Sequence, residues 1–158
     1  MTHSVATDFS LIRVTLALMT GILLILAIVF ASLAALLHIA IFVMESVLWT
    51  RPAIWKRFGL KSQDEAQIIR PMALNQGFYN LFLTIGIVVG LLLLPHAALD
   101  TAGLALIFFA CASMVAAALV LVISQPKLAR AALTQGLLPL LALIALVIFG
   151  ITTATGLA

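Results

Sequence analysis

Hydrophobic residues run along this chain in four long blocks, and most polar residues fall between the blocks or near one edge of them. The blocks extend from about Leu16 to Trp49, Met72 to Leu94, Ala102 to Ser124 and Ala131 to Thr153. An α-helix rises about 1.5 Å per residue, so each block is long enough to cross a hydrocarbon layer of about 30 Å. The first is longer than a crossing needs and is expected to tilt or to project at one end. It also runs past the roughly 7–15 apolar residues of a signal peptide, and reads as a retained span. Pro52, Pro95 and Pro126 follow the first three blocks. Pro71 reads as the residue that opens the second, where its missing N–H costs nothing. Short connections make successive helices antiparallel. The pattern therefore predicts an all-α, integral-membrane, up-down four-helix bundle, a single transmembrane domain over residues 1–158.

Composition supports this class. The chain is 65% hydrophobic and 8% charged, with a mean hydropathy of +1.33. A soluble domain of 158 residues could not hide so much apolar surface in one core. The basic balance comes from few charges and does not point to nucleic acid. Its placement is more informative. Arg51, Lys56, Arg57, Lys61 and Arg70 lie between the first two blocks, and Lys127 and Arg130 between the last two. The connection PHAALD carries no Lys or Arg, and the N-terminal tail carries Arg13. Positive residues stay in the cytoplasm, so both termini of a multi-pass membrane protein are expected outside it. The connection over residues 50–70 mixes Trp55, Phe58, Leu60, Ile68 and Ile69 with charges, as a segment lying on the membrane surface would. Trp49 and Trp55 read as interfacial anchors, and His3 and His96 as exposed.

The polar residues inside the blocks gather at the basic end. Glu45 and His38 are seven residues apart on the first block, hence nearly on one face, in line with Ala27, Ala31 and Ala34. The second block opens with Asn75, Gln76, Tyr79 and Asn80; Asn75 and Tyr79 share a face with Gly86 and Gly90. On the third, Gly103, Ala110, Ala117 and Ser124 recur every seven residues. Gln135 begins the fourth, and its carbonyl loses its helical donor to Pro139. Polar side chains in a span normally point into the bundle, and small residues let helices approach closely. These positions predict a tightly packed half and a polar pocket facing the cytoplasm. A carboxyl group in a span costs about 2.5–3.5 kcal/mol on insertion scales, which makes Glu45 the sharpest signal. The alternative for Glu45 is a pair with Arg51 or Arg70. For the amides it is interhelical glue, and for His38 a hydrogen-bonded core position.

The sequence carries no Ser-His-Asp set, Gly-rich phosphate loop or CxxC motif, so no cofactor is assigned. No metal is expected, because only His38 and Glu45 could contribute, and a zinc site needs about three protein ligands. Cys111, in FFACASM, reads as buried and inert; being alone, it provides no internal disulfide framework.

The motifs LLHIAIFVMESVLW, FGL at Phe58 to Leu60, NQGFYNLFL and TQGLLPLLAL resemble a bacterial family of small four-helix membrane proteins of unknown function. The residues carrying the likeness are His38, Glu45, Trp49, Asn75, Gln76, Gly77, Tyr79, Asn80, Gln135 and Pro139. The resemblance implies a fold and a bacterial inner-membrane location, with no established activity. A weaker likeness, at Arg70 and Asn75, is to the membrane-associated eicosanoid and glutathione metabolism proteins. It implies glutathione binding, although the acidic residue expected shortly after the Asn is replaced here by Tyr79 and Asn80.

The sequence thus leads to a pocket of Glu45, His38, Asn75, Gln76, Tyr79, Asn80 and Gln135 that binds a small amphipathic or lipid-like ligand. The other readings are a membrane enzyme acting on a lipophilic substrate, with or without glutathione, a proton-coupled exporter, and an accessory subunit. Membrane lipids are the expected partners, with a homo-oligomer or a larger membrane complex as the assembly.

Overall fold

The computed structural model describes residues 2–156, with side chains from Leu11 onward. The side chain of His3 lies outside the described part. Helix α1 covers Thr2–Phe42 and passes directly into a π-helical turn, Val43–Val47. A short α2, Pro52–Trp55, and a 3-10 turn, Lys56–Phe58, lead to α3, Gln63–Leu93. Helix α4 covers Asp100–Ser124; a 3-10 turn, Pro126–Leu128, leads to α5, Ala129–Ala154. Four of these helical segments are long and apolar enough to cross a membrane: Leu11–Val47, Gln63–Leu93, Asp100–Ser124 and Pro126–Ala154. Large apolar side chains such as Leu18, Phe82, Phe109, Ile123 and Ile151 stay exposed along them. A soluble protein would cover such a surface; lipid leaves it at ease. The chain is a helical, multi-pass membrane protein.

The helices close into a ring in the order α1, α3, α4, α5. Small residues make the centre. Ala27, Ala31, Ala34 and Ala35 of α1 meet Ile87 of α3, Ile107, Ala110, Cys111 and Met114 of α4, and Ala142 and Ala145 of α5. Cys111 is buried there as a free thiol. With lipid on the outside, close backbone approach and dispersion take over from the hydrophobic effect as the force between helices. At the PHAALD end this approach is closest. A Cβ on Gly90 would lie 2.7 Å from the carbonyl oxygen of Gly103, and one on Gly103 would lie 2.6 Å from that of Gly90. No other residue fits either position without parting α3 from α4. On the far side of the ring, the Thr20 hydroxyl of α1 lies 3.4 Å from that of Thr152 of α5.

Two expectations about the connection over residues 50–70 need correction. Residues 63–70 are not a surface loop, because α3 begins at Gln63. Ser62 caps it, accepting a hydrogen bond from the Glu65 N–H (3.1 Å), while the Glu65 carboxyl accepts one from the Lys61 N–H (2.8 Å). Asp64 and Glu65 in the first turn suit the helix dipole. Pro71 accordingly sits inside the helix and does not open it. The two tryptophans, expected as interfacial anchors, are buried against the protein. Trp49 and Trp55 are 5% and 4% exposed and form a second small core with Ala66 and Ala73. The Trp49 indole N–H donates to the Ala66 carbonyl (2.8 Å), and that of Trp55 to the Gln63 side chain (3.1 Å). Pro52 at the first position of α2 and Gly59, at φ +84°, set the turns that fold this connection back.

Candidate functional site

Glu45 sits in the π-helical turn, where the Leu48 N–H reaches the Val43 carbonyl at 2.9 Å. Such wide turns recur at functional sites because they re-aim side chains. Here the turn faces Gly77 of α3. A Cβ at Gly77 would collide with the Ser46 hydroxyl and come within 3.2 Å of the Glu45 Cβ and 3.3 Å of the Phe42 carbonyl. The missing side chain lets α3 seat against the turn, and the Ser46 hydroxyl donates to the Leu74 carbonyl (3.2 Å). One turn along α3, the Asn80 amide donates to Glu45 Oε2 (3.0 Å) and to the Gln76 carbonyl (3.1 Å). Both side chains are 8% exposed. Next on the same face, Thr84 donates between the Asn80 carbonyl (3.0 Å) and the Ala35 carbonyl of α1 (3.3 Å). Polar bonds thus tie α1 to α3 along the basic half.

The inward face of α3 is Ala73, Gly77, Asn80, Thr84, Ile87 and Gly90. Asn75 and Tyr79 are therefore turned outward and exposed, with Tyr79 edge-on to Phe82. Of the four polar residues expected in the pocket from α3, Asn80 is the one that bonds to Glu45. His38 is buried, its Nδ1 2.9 Å from the Ala34 carbonyl one turn back. With Nδ1 as donor, the other ring nitrogen is the acceptor.

A cavity of about 870 Å³ lies between the α1–α3 pair and the α4–α5 pair at the basic end. Each pair stays joined there, α1 to α3 at Gly77 and α4 to α5 where a Cβ on Gly136 would lie 2.8 Å from the Ala118 Cβ. The pairs are drawn together at Gly90–Gly103 and part towards the other end. Glu45, Gln76 and Asn80 line one wall, with Thr134 and Gln135 opposite. Leu37, Ile41, Val120 and Leu121 make it apolar elsewhere. Arg57 and Lys127, from the two connections, and Arg130, in the first turn of α5, border it as well. These connections meet where Gly59 approaches the Leu128 side chain. Of the seven residues expected in the pocket, Glu45, Gln76, Asn80 and Gln135 line this cavity; His38, Asn75 and Tyr79 are not among its lining. Arg57, Lys127 and Arg130 were missed. Their place at the ends of the spans hid them, although the basic runs PAIWKRF and PKLAR stand there.

Among the described residues, no three His, Cys, Asp or Glu side chains gather to hold a metal ion, and no buried side-chain nitrogen or oxygen lacks a hydrogen-bond partner. The arrangement is a hydrogen-bonding and charged compartment joined to an apolar one.

Comparison with curated proteins and with solved structures returned no match. A family model described as "protein of unknown function (DUF1304)" matches residues 32–147, a range holding Glu45, Asn80, Gln135 and the three cations, and the chain belongs to that family.

Proposed function

We propose that this is a bacterial inner-membrane protein whose cavity, open to the cytoplasm, binds a small amphipathic, lipid-like ligand. The observation that carries the reading is the cavity's mixed lining. Its polar side has the Glu45–Asn80 pair, 3.0 Å apart, and its apolar side has Leu37, Ile41, Val120 and Leu121. Ligand sites are typically about 300–1,000 Å³, mostly apolar with a few polar groups that orient the ligand, and about 870 Å³ falls within that range. A tail placed against the apolar wall would leave its head beside Glu45, Asn80, Gln76 and Gln135. The orientation follows from charge, since seven of the eight Lys and Arg residues sit at the cavity end.

Native mass spectrometry of gently extracted protein tests the binding. Ala117 lines the cavity and is exposed, so Ala117→Trp fills the space without entering the packed core. The wild type should carry an amphiphile that Ala117→Trp lacks. Equal retention by both would reject the cavity as the site. For orientation, a cysteine placed at Ala97 should react with an impermeant thiol reagent in intact cells, with little background from buried Cys111. Labelling only after permeabilisation would invert the topology.

A further inference from the structure

We infer that the ligand's head group is anionic, a phosphate or carboxylate held by Arg57, Lys127 and Arg130, and carries a hydroxyl or amine donor that meets Glu45. This rests on the cavity being a binding site and adds the chemistry of what it takes. Three cations and one carboxyl side chain line the space, so its charge favours an anion. The cations come from different parts of the chain. Arg57 lies in the connection between α1 and α3, while Lys127 and Arg130 lie where α4 gives way to α5. The two connections come near each other where a Cβ on Gly59 would lie 4.0 Å from the Leu128 side chain, and the three cations line the same cavity. Basic pockets between spans are a recurrent means of holding acidic lipid head groups, and guanidinium groups match phosphate and carboxylate oxygens in pairs.

Glu45 sets the second requirement. Asn80 takes Oε2, and among the described residues no donor reaches Oε1, while the side chain borders the cavity. That oxygen is left to accept from a ligand. An acid with no donor beside it would bring a bare anion towards Glu45; an acid with a neighbouring hydroxyl or amine satisfies both sides. Leu37, eight residues before Glu45, lies about 12 Å deeper along α1 and offers apolar wall to a tail.

The test is a titration of the purified full-length protein, stripped of endogenous lipid, by native mass spectrometry. The probes are phosphatidylglycerol and phosphatidylcholine of equal chain length, glycerol 3-phosphate and inorganic phosphate. Phosphatidylglycerol supplies acid and hydroxyls, whereas phosphatidylcholine has a phosphate without a donor and a quaternary cation. Phosphatidylglycerol should bind at least about tenfold more tightly than phosphatidylcholine. Lys127→Gln with Arg130→Gln should weaken phosphatidylglycerol far more than phosphatidylcholine and so erase most of that preference; an equal loss for both lipids, with the preference kept, would overturn the head-group assignment. Glu45→Gln should weaken phosphatidylglycerol severalfold. Saturable binding of both lipids without preference, blocked by Ala117→Trp, would overturn the head-group assignment and keep the cavity. Lipid binding indifferent to Ala117→Trp would overturn both. Tight binding of glycerol 3-phosphate or inorganic phosphate, equal to that of the lipid, would assign the cations to a soluble anion and reject the lipid head group as their source.

Discussion

The two ends of this bundle use small residues differently. At the PHAALD end, Gly90 and Gly103 put backbone against backbone, with virtual Cβ atoms 2.6–2.7 Å from the opposing carbonyl oxygens. Neither element can yield, and the helices are locked. At the basic end, Gly77 faces a π-helical turn, and the first atom in its way is the Ser46 hydroxyl, part of a side chain that can move. There the helices join in pairs, and the space between the pairs becomes the cavity. Glycine closes the bundle where both partners are rigid; where it meets a turn bearing polar side chains, it seats a carboxyl group against an amide. The same residue type thus serves packing at one end and positioning at the other.

The largest effect should come from the rigid contact. Gly103→Val drives a branched side chain into the α3 backbone and should cost about 3 kcal/mol, read as lost thermal stability in detergent. An unchanged melting temperature would mean that the two ends are equally compliant. Next is Glu45→Ala, which opens a hole and strands the Asn80 amide; about 2 kcal/mol is expected, with Glu45→Gln costing much less because an amide partner can replace the carboxyl. Equal losses for the two would show that the bond is incidental to the fold. Gly77→Ala should cost about 1 kcal/mol, and Ser46→Ala in the same chain should recover part of it by removing the obstructing hydroxyl. Strict additivity would remove the compliance proposed for the basic end. The smallest effect belongs to Gly150→Ala. A Cβ there would meet nothing within 4 Å outside its own helix, so it should be neutral or gain up to about 1 kcal/mol of helix propensity.

The architecture was legible because apolar length decides membrane crossing and little competes with that signal. The bundle centre was legible as well. Ala27, Ala31, Ala34, His38 and Glu45, placed on one stripe by spacing alone, are all buried. On α4 the same reading caught Gly103 and Ala110 in the packed half and Ala117 and Ser124 on the cavity wall. The start of α3 was misread because Pro71 is a louder signal than the Ser62–Glu65 cap, although S-x-x-E is itself a helix-start pattern. The polar face of α3 was misread for a different reason. Four polar residues within six positions point several ways around a helix, and sequence cannot say which one meets Glu45. Gly77 decides it: the position without a side chain faces α1, and Asn80, three residues on, shares its direction. The tryptophans illustrate a third limit. Trp49 and Trp55 are amphipathic and suit an interface, but a folded-back connection gave their indole N–H groups partners at Ala66 and Gln63.

The central claim is that the space between the parted helix pairs holds an amphiphile with its tail inside. Photolabelling tests this most directly, using phosphatidylglycerol with a diazirine in its acyl chain and the purified protein, with adducts mapped by peptide mass spectrometry. The account predicts adducts concentrated on the segments holding Leu37 and Ile41 and holding Val120 and Leu121, and their loss in Ala117→Trp. Adducts spread evenly over exposed positions such as Leu18, Phe109 and Ile151, and unchanged by Ala117→Trp, would contradict it.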